Sequence, residues 1–566
     1  MYTREKAKQE VVNALKKYLE VDLSIDDIET PPDLTLGDFA YPVFIAAKKM
    51  EKKPFELASE LAAKIGPTKF IEKIEAVGPY VNFTLNMDAF GQSVLEEIEK
   101  MKTEYGNQNV GKGKKILVEY AQPNTHKEFH VGHVRNAIFG QSIVNLMRAN
   151  GYEVIPAAYI GDIGAHVAKA IWGMEKFHTK EKFEKNDRAK KLGQIYTQAT
   201  KAVEENEDFK KEIAQIQQNL ELDKEPWYSL WKKTRQWSLD QFKAIFKELK
   251  ISPEVWYFES EVEKPGKELV QKMLTDGIAK KSEGAVIVDL QDEDLGAFLI
   301  LKSDGSSLYA TKDLALALQK DKDYGADRQL FIVDVRQSLY FDQLFATLKR
   351  LGFTKQLVHI SYDMVNLPEG TMSSRAGNIV TYEQLRDTMV EHLINETKKR
   401  HEDWSEKKVA KVAKEMAIAS MTFMMLRQDS QSIITFDMDE ALKFDGFTAP
   451  YLLYTIARIE SIKKKTSVKP KVGVARLTNG LEKKIIRHLS QLPDVVERAG
   501  VCYQSSPIAL WCFELSQLFN EYYHEVRILD DDNKQRMQAR LALLDAVEKT
   551  MQNALSILNI DTLKEM

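Results

Sequence analysis

Ile116-Leu117-Val118-Glu119-Tyr120 is followed by Pro123-Asn124-Thr125-His126-Lys127-Glu128-Phe129-His130-Val131-Gly132-His133, and this stretch decides the fold class. The first five residues make a short apolar strand. Residues 134–149 then carry apolar side chains at helical spacing, and 152–159 is a second strand. Strand, polar loop, helix, strand is the pattern of a parallel α/β sheet. The polar loop falls at the carboxyl end of the first strand, where open parallel sheets bind ligands. It also leads into a helix N-terminus, whose free N–H groups and partial positive charge favour phosphate.

Working outward, residues 1–105 read as a small α+β module. Val11, Leu15 and Leu19 are spaced for a helix, as are residues 55–63. Residues 74–85 alternate around a Gly78-Pro79 turn and read as a strand pair. Residues 106–435 form the Rossmann-like domain. It carries a helical insertion near 165–290, most evident over 165–250, where Lys, Glu, Gln and aromatics dominate. Further strand signals lie at 285–288, 298–301 and 329–335. Residues 436–566 are almost wholly helical in period, clearest at 508–523 and 539–558, and predict an all-α bundle. The expectation is an α/β parallel-sheet domain with a helical insertion, an N-terminal α+β module and a C-terminal helical bundle.

Composition excludes several classes. The chain has 566 residues, 44% hydrophobic and 29% charged, which excludes a disordered chain or a collagen. With 84 acidic and 80 basic residues the formal charge is −4, so a nucleic-acid partner needs local basic patches. Cys502 and Cys512 are too few for a disulfide framework or a cysteine zinc site. No apolar run of about 18 residues predicts a membrane span, and the start lacks a secretory core. A cytoplasmic protein is the expectation.

His130 and His133 stand three apart, on one face if the helix has already begun, with Gly132 allowing close approach of a nucleobase or ribose. Two imidazoles there can donate to phosphate oxygens as charge builds. A zinc pair lacks the third ligand of an H-E-x-x-H helix, and ordinary surface histidines are the other reading. A second polar loop, Gly370-Thr371-Met372-Ser373-Ser374-Arg375-Ala376-Gly377-Asn378, precedes a helix near Tyr382 and could clamp a triphosphate. By itself it could also be a surface loop. Residues 106–113 mimic a phosphate loop, but Gly113 occupies the Ser/Thr position and the segment precedes its strand, so it reads as a linker turn.

In this order on one domain, the two loops resemble the class I aminoacyl-tRNA synthetases. His130-Val131-Gly132-His133 is similar to the His-Ile-Gly-His motif of that class, and Thr371 to Arg375 to its Lys-Met-Ser-Lys-Ser motif. Over nearly the whole chain the likeness is closest to the arginyl members. It extends through Tyr159-Ile160-Gly161-Asp162-Ile163-Gly164, Tyr309-Ala310-Thr311-Lys312-Asp313, Arg336-Gln337, Pro450-Tyr451-Leu452-Leu453-Tyr454, Ala457-Arg458 and Gly37-Asp38-Phe39-Ala40.

The resemblance implies that arginine is activated with ATP and magnesium and transferred to tRNA(Arg). It implies catalytic roles for His130, His133 and Lys127. ATP would be held by His130, Gly132, His133, Met372, Ser373, Ser374 and Arg375. Lys is usual in the class at position 371, and Lys127 would supply the missing charge. Glu119, Tyr309 and Asp313 would read the guanidinium, whose rigid donor fork suits bidentate carboxylates. Gln122, Asn124 and Gln337 would hold the α-amino end. Tyr451, Tyr454, Arg458, Tyr522 and Met566 would meet the anticodon, and Asn82 and Phe83 the tRNA elbow. No dedicated metal site and a monomeric state are expected. Gln122, Ile163 and His166 depart from the frequent Ser, Trp and Gln. A synthetase for another amino acid, or an RNA-binding regulator with a decayed site, are the competing functions. The intact Glu119, His130, His133 and Asp313 speak against the second.

Overall fold

Strands buried on both faces read as near-continuous apolar runs, and the central strands here do so. The computed structural model describes all residues except 180, 186, 367, 369–379, 530 and 531, and Leu34 by backbone only. The strands are β1 (Phe39–Pro42), β2 (Ile71–Val77), β3 (Tyr80–Leu85), β4 (Lys115–Tyr120), β5 (Glu153–Ile160) and β6 (Val255–Phe258). Then come β7 (Lys280–Ser282), β8 (Ala285–Leu290), β9 (Gly296–Leu301), β10 (Arg328–Asp334) and β11 (Gln356–Tyr362).

Five of them make one parallel sheet in the order β11-β10-β4-β5-β6. The chain runs outward from β4 to β5 and β6, then returns to the other side of β4 for β10 and β11. The reversal opens a crevice beyond the carboxyl ends of β4 and β10. The loop after β4 lies there, ahead of the Val131–Ala149 helix. That helix is buried nearly all round, which is why it lacks a clear polar face.

Four helices fill the excursion between β5 and β6: Ala165–Phe177, Arg188–Glu205, Phe209–Glu221 and Trp227–Leu249. They enclose their own core of Val167, Ile171, Trp172, Ala199, Ile216 and Trp231. The strand signals at 285–288 and 298–301 correspond to β8 and β9, which pair antiparallel in a separate sheet with β7. Alternation marks a strand but not its sheet. The 106–113 segment is a turn whose amides are spent. Gln108, Gly111 and Gly113 donate to the carbonyls of Ala149, Asn150 and Gly151 at 2.6, 2.9 and 2.9 Å.

The N-terminal sheet has order β1-β3-β2, antiparallel. Asp38, in its Gly37-Asp38-Phe39-Ala40 stretch, accepts from Leu85 N–H at 2.8 Å and from Arg487 Nε at 2.5 Å. Arg487 belongs to the Gly480–Leu489 helix of the C-terminal bundle, so one buried carboxylate ties the two terminal modules together. Helices Ala449–Lys464, Leu492–Cys502, Ser506–Glu525 and Lys534–Ile557 complete that bundle.

Gly140 sets how closely the Val131–Ala149 helix lies on β4. A methyl group there would stand 2.3 Å from Tyr120 Cβ. Gly140→Ala is expected to cost about 3 kcal/mol, read as a lower denaturant midpoint with an unchanged m-value.

Candidate active site

The crevice is built from helix starts and strand ends. His130 is the N-cap of the Val131–Ala149 helix. Its Nδ1 accepts from Gly132 N–H at 3.1 Å, and His133 Nδ1 accepts from His130 N–H at 3.3 Å. A ring nitrogen that accepts a backbone N–H carries no proton, so each neutral imidazole holds its proton on Nε2. The rings stack with centroids 3.9 Å apart, and His133 packs on Phe129. Burial, then the nearby Lys127 charge, pushes His130 down to about 4. Burial and the charges of His130 and Lys127 hold His133 well below the usual imidazole value. Both are neutral at pH 7 and offer Nε2–H donors. Gly132 is needed locally, since a Cβ there would meet the His130 ring at 3.0 Å.

His126 is different. It is fully buried, its nitrogens engage Thr125 and Thr234 at 2.9 and 2.7 Å, and burial lowers it to about 3. It braces the loop. The second loop, with Thr371, Met372, Ser373, Ser374 and Arg375, lies outside the described residues. Its downstream flank is described: Val131 N–H donates to Val380 O at 3.2 Å, and Tyr382 N–H to Phe129 O at 2.9 Å. The chain therefore leaves that loop directly beside His130.

Acidic groups gather on the other side of the crevice. Asp313, the fifth residue of the Tyr309–Tyr324 helix, accepts from Tyr340 Oη at 2.5 Å through Oδ2. Its Oδ1 and the Tyr159 hydroxyl beside it are buried and close enough to act on one another, without a well-formed hydrogen bond to any group. Burial raises Asp313 to about 6. Glu259, at the end of β6, is paired with Lys312 and is lifted by burial to about 7. Asn124 Oδ1 would lie 2.2 Å from a Cβ on Gly161, and Glu259 Oε1 3.5 Å from it. Only glycine lets these two side chains converge. Tyr309 is 61% exposed at the mouth, with Lys312 Nζ 5.1 Å from its ring centre. Glu259 escapes sequence reading because an acid at a strand end normally faces solvent. Its signal lay in the strand-to-helix junction.

Glu119 has other partners than expected of a guanidinium reader. One oxygen is paired with the fully buried Lys320, and the other accepts from Gln122 Nε2 at 2.7 Å. Burial depresses the Lys320 ammonium, and the Glu119 carboxylate is its counter-charge. Gln337 is exposed at the end of β10. Lys127 is half-buried, its charge felt by both site imidazoles and itself influenced by Glu259. The imidazoles and Glu259 thus lie within electrostatic reach of the same ammonium.

In the bundle, Arg458 lies between two rings, 4.5 Å from the centre of Tyr454 and 4.3 Å from that of Tyr523. It also donates to Asn520 at 3.0 Å. Tyr522 is fully buried and donates to Glu482 at 3.1 Å. Adjacent helix residues point about 100° apart, so Tyr523, not Tyr522, is the surface aromatic. Tyr451 packs on Phe513, and the Met566 main-chain oxygen contacts His401 Nε2 at 2.5 Å. Asn82 and Phe83 are 5% and 1% exposed inside the small sheet, so Phe83 presents no ring surface. Lys463 and Lys464 are engaged by Glu548 and Glu565. No metal-binding group of three or more ligands occurs among the described residues, and no described helix is long and apolar enough to cross a membrane.

Comparison with known proteins matches three families in sequence. Residues 94–438 match the catalytic domain of "tRNA synthetases class I (R)", 452–566 the DALR anticodon binding domain, and 5–85 the arginyl tRNA synthetase N terminal domain. An arginine–tRNA ligase of Bdellovibrio bacteriovorus is 36% identical, covering 97% of each chain. One from Halothermothrix orenii is 33% identical over 99% of each. Among solved structures, Thermus thermophilus arginyl-tRNA synthetase superposes with a TM-score of 0.83 at 22% identity over 100% of both chains. The Plasmodium falciparum enzyme gives 0.80 at 19% over 99% of both.

Lys320→Met would strand the Glu119 charge in the interior. It is expected to cost about 3–5 kcal/mol, and Lys320→Met with Glu119→Gln is expected to recover part of that loss in the same denaturant titration.

Proposed function

Because the chain belongs to the arginyl class I aminoacyl-tRNA synthetase family, we propose that it is an arginine–tRNA ligase and that the crevice joins arginine to ATP and then to tRNA(Arg). The observation that carries the reading is Asp313: a buried carboxylate whose Oδ1 has only the buried Tyr159 hydroxyl near it and no well-formed hydrogen bond. A guanidinium brings five donors in a fixed fork and keeps its charge. It would satisfy Asp313 Oδ1 and leave Tyr340 holding Oδ2. Tyr309 and Glu259 stand where they could complete that end. Glu119 is better placed to orient Gln122, which with Asn124 and Gln337 would receive the α-amino end.

In the first step the arginine carboxylate attacks the α-phosphorus of ATP, and the bond to the pyrophosphate oxygen breaks. No protein nucleophile is required, so the protein acts by positioning and charge stabilisation. The Nε2–H groups of His130 and His133 would donate to the phosphate, with Lys127 as the adjacent cation. Met372, Ser373, Ser374 and Arg375 are assigned to ATP by resemblance, and the described return of the chain at Val380 is compatible with that. Magnesium enters with ATP. In the second step the terminal ribose hydroxyl of tRNA takes the arginyl group and AMP leaves. Tyr454, Arg458 and Tyr523 form a partly exposed group suited to stacking on an anticodon base, and Tyr451 and Met566 are assigned to the anticodon by resemblance. Tyr522 and Phe83 act through packing. The active species is assigned as a cytoplasmic monomer.

ATP–pyrophosphate exchange with each amino acid, with and without tRNA, tests the assignment. Exchange is expected only with arginine and tRNA together. Exchange driven by lysine or glutamine would overturn it, and silence from folded protein would favour an RNA-binding role. Asp313→Asn should raise the KM for arginine by about 100-fold or more, with a smaller effect on ATP. Lys127→Ala should lower turnover more than it raises the KM for arginine. The pH dependence has a definite sign. Asp313 near 6 and Glu259 near 7 lose their charge as pH falls through those values, and a cationic ligand prefers them ionised. The KM for arginine should therefore rise on going from about pH 8 to about pH 6, and a flat profile would contradict the pocket.

A further inference from the structure

The helical insertion places a second cation beside Lys127. Lys169 lies on the Ala165–Phe177 helix and Tyr196 on the Arg188–Glu205 helix, both half-buried. The Lys127 ammonium is 5.3 Å from the centre of the Tyr196 ring, and the Lys169 ammonium 5.5 Å from the same centre. Two ammonium groups share one phenol. An aromatic ring attracts a cation, but two cations gathered on one ring repel each other in a partly desolvated place. Burial, then the Lys169 charge, lowers the pKa of Lys127. An arrangement of this kind favours an arriving anion of multiple charge.

Its position says which anion. Lys127 acts electrostatically on His130, His133 and His166, and Glu259 acts on Lys127. Tyr196 in turn bears on Tyr309. Lys127 thus stands between the imidazoles and Glu259, where a carboxylate would meet a phosphorus, and Lys169 stands beside Lys127 on the Tyr196 ring. We propose that Lys169 is a second phosphate-binding cation for ATP, held with Lys127 on the Tyr196 ring. The proposal rests on reading the crevice as an adenylate-forming site. It gives the insertion a part in the first chemical step and makes Tyr196 a positioning residue.

Steady-state exchange with separate titrations of ATP, arginine and tRNA tests it, together with thermal protection of the full-length protein by ATP alone. Lys169→Ala is expected to raise the KM for ATP about tenfold, to move the KM for arginine less than about twofold, and to abolish most ATP protection. Lys169→Arg should restore most of the loss. Tyr196→Phe, which keeps the ring, should stay near wild type, while Tyr196→Leu should behave like Lys169→Ala. The alkaline limb of the rate profile should move to higher pH in Lys169→Ala, since Lys127 then holds its proton more firmly. Lys169→Gln serves if the alanine variant does not fold. An unchanged KM for ATP, an equal rise for ATP and arginine, or a rise confined to tRNA would each overturn the proposal. Absence of arginine-dependent exchange in the wild type would instead defeat the functional reading, and ATP protection would still report on the cation pair.

Discussion

Glu119 and Lys320 form a buried ion pair on which the geometry of the crevice depends. Glu119 is on β4, the strand whose following loop leads into the helix start that carries His130 and His133. Lys320 is on the helix whose N-terminal part carries Tyr309, Lys312 and Asp313. Charges removed from water demand a partner at close range. The demand fixes how the nucleotide half of the site stands against the carboxylate half, though the two lie about 200 residues apart in the chain. Gly140, pressed on Tyr120, and Gly161, under Asn124 and Glu259, set two other close approaches around the crevice.

Around that anchor the site is divided by charge. The imidazole side is neutral and donates through Nε2, because backbone amides occupy both Nδ1 atoms. The opposite side is acidic, with Asp313 and Glu259 raised by burial into the range of neutral pH. Lys127 stands between them. The first substrate is a polyanion and the second a cation with a carboxylate. A crevice graded in this way orients both without a covalent step.

Asp162 shows how the insertion is held to the crevice. It is fully buried and engages Arg235 at 2.6 Å and Ser260 N–H at 2.9 Å. The Trp231 indole donates to its carbonyl at 2.7 Å. One residue at the end of β5 thereby pins the returning Trp227–Leu249 helix and the start of the Glu259–Thr275 helix. That is the lever by which residues of the insertion reach the reacting groups.

Local pattern was enough for the parallel strand–loop–helix unit at 115–149, the helical run after the insertion start, and the bundle, because periodicity and chain order act within a few turns. The imidazole pair and Asp313 were legible through ordered motifs. Only tertiary structure could decide that Glu259 joins Asp313, that Glu119 is spent on Lys320, and that Tyr523 rather than Tyr522 faces outward. It alone also separates β8 and β9 from the main sheet. Burial and counter-charge are properties of what packs against a side chain, and the packing elements here come from distant parts of the chain.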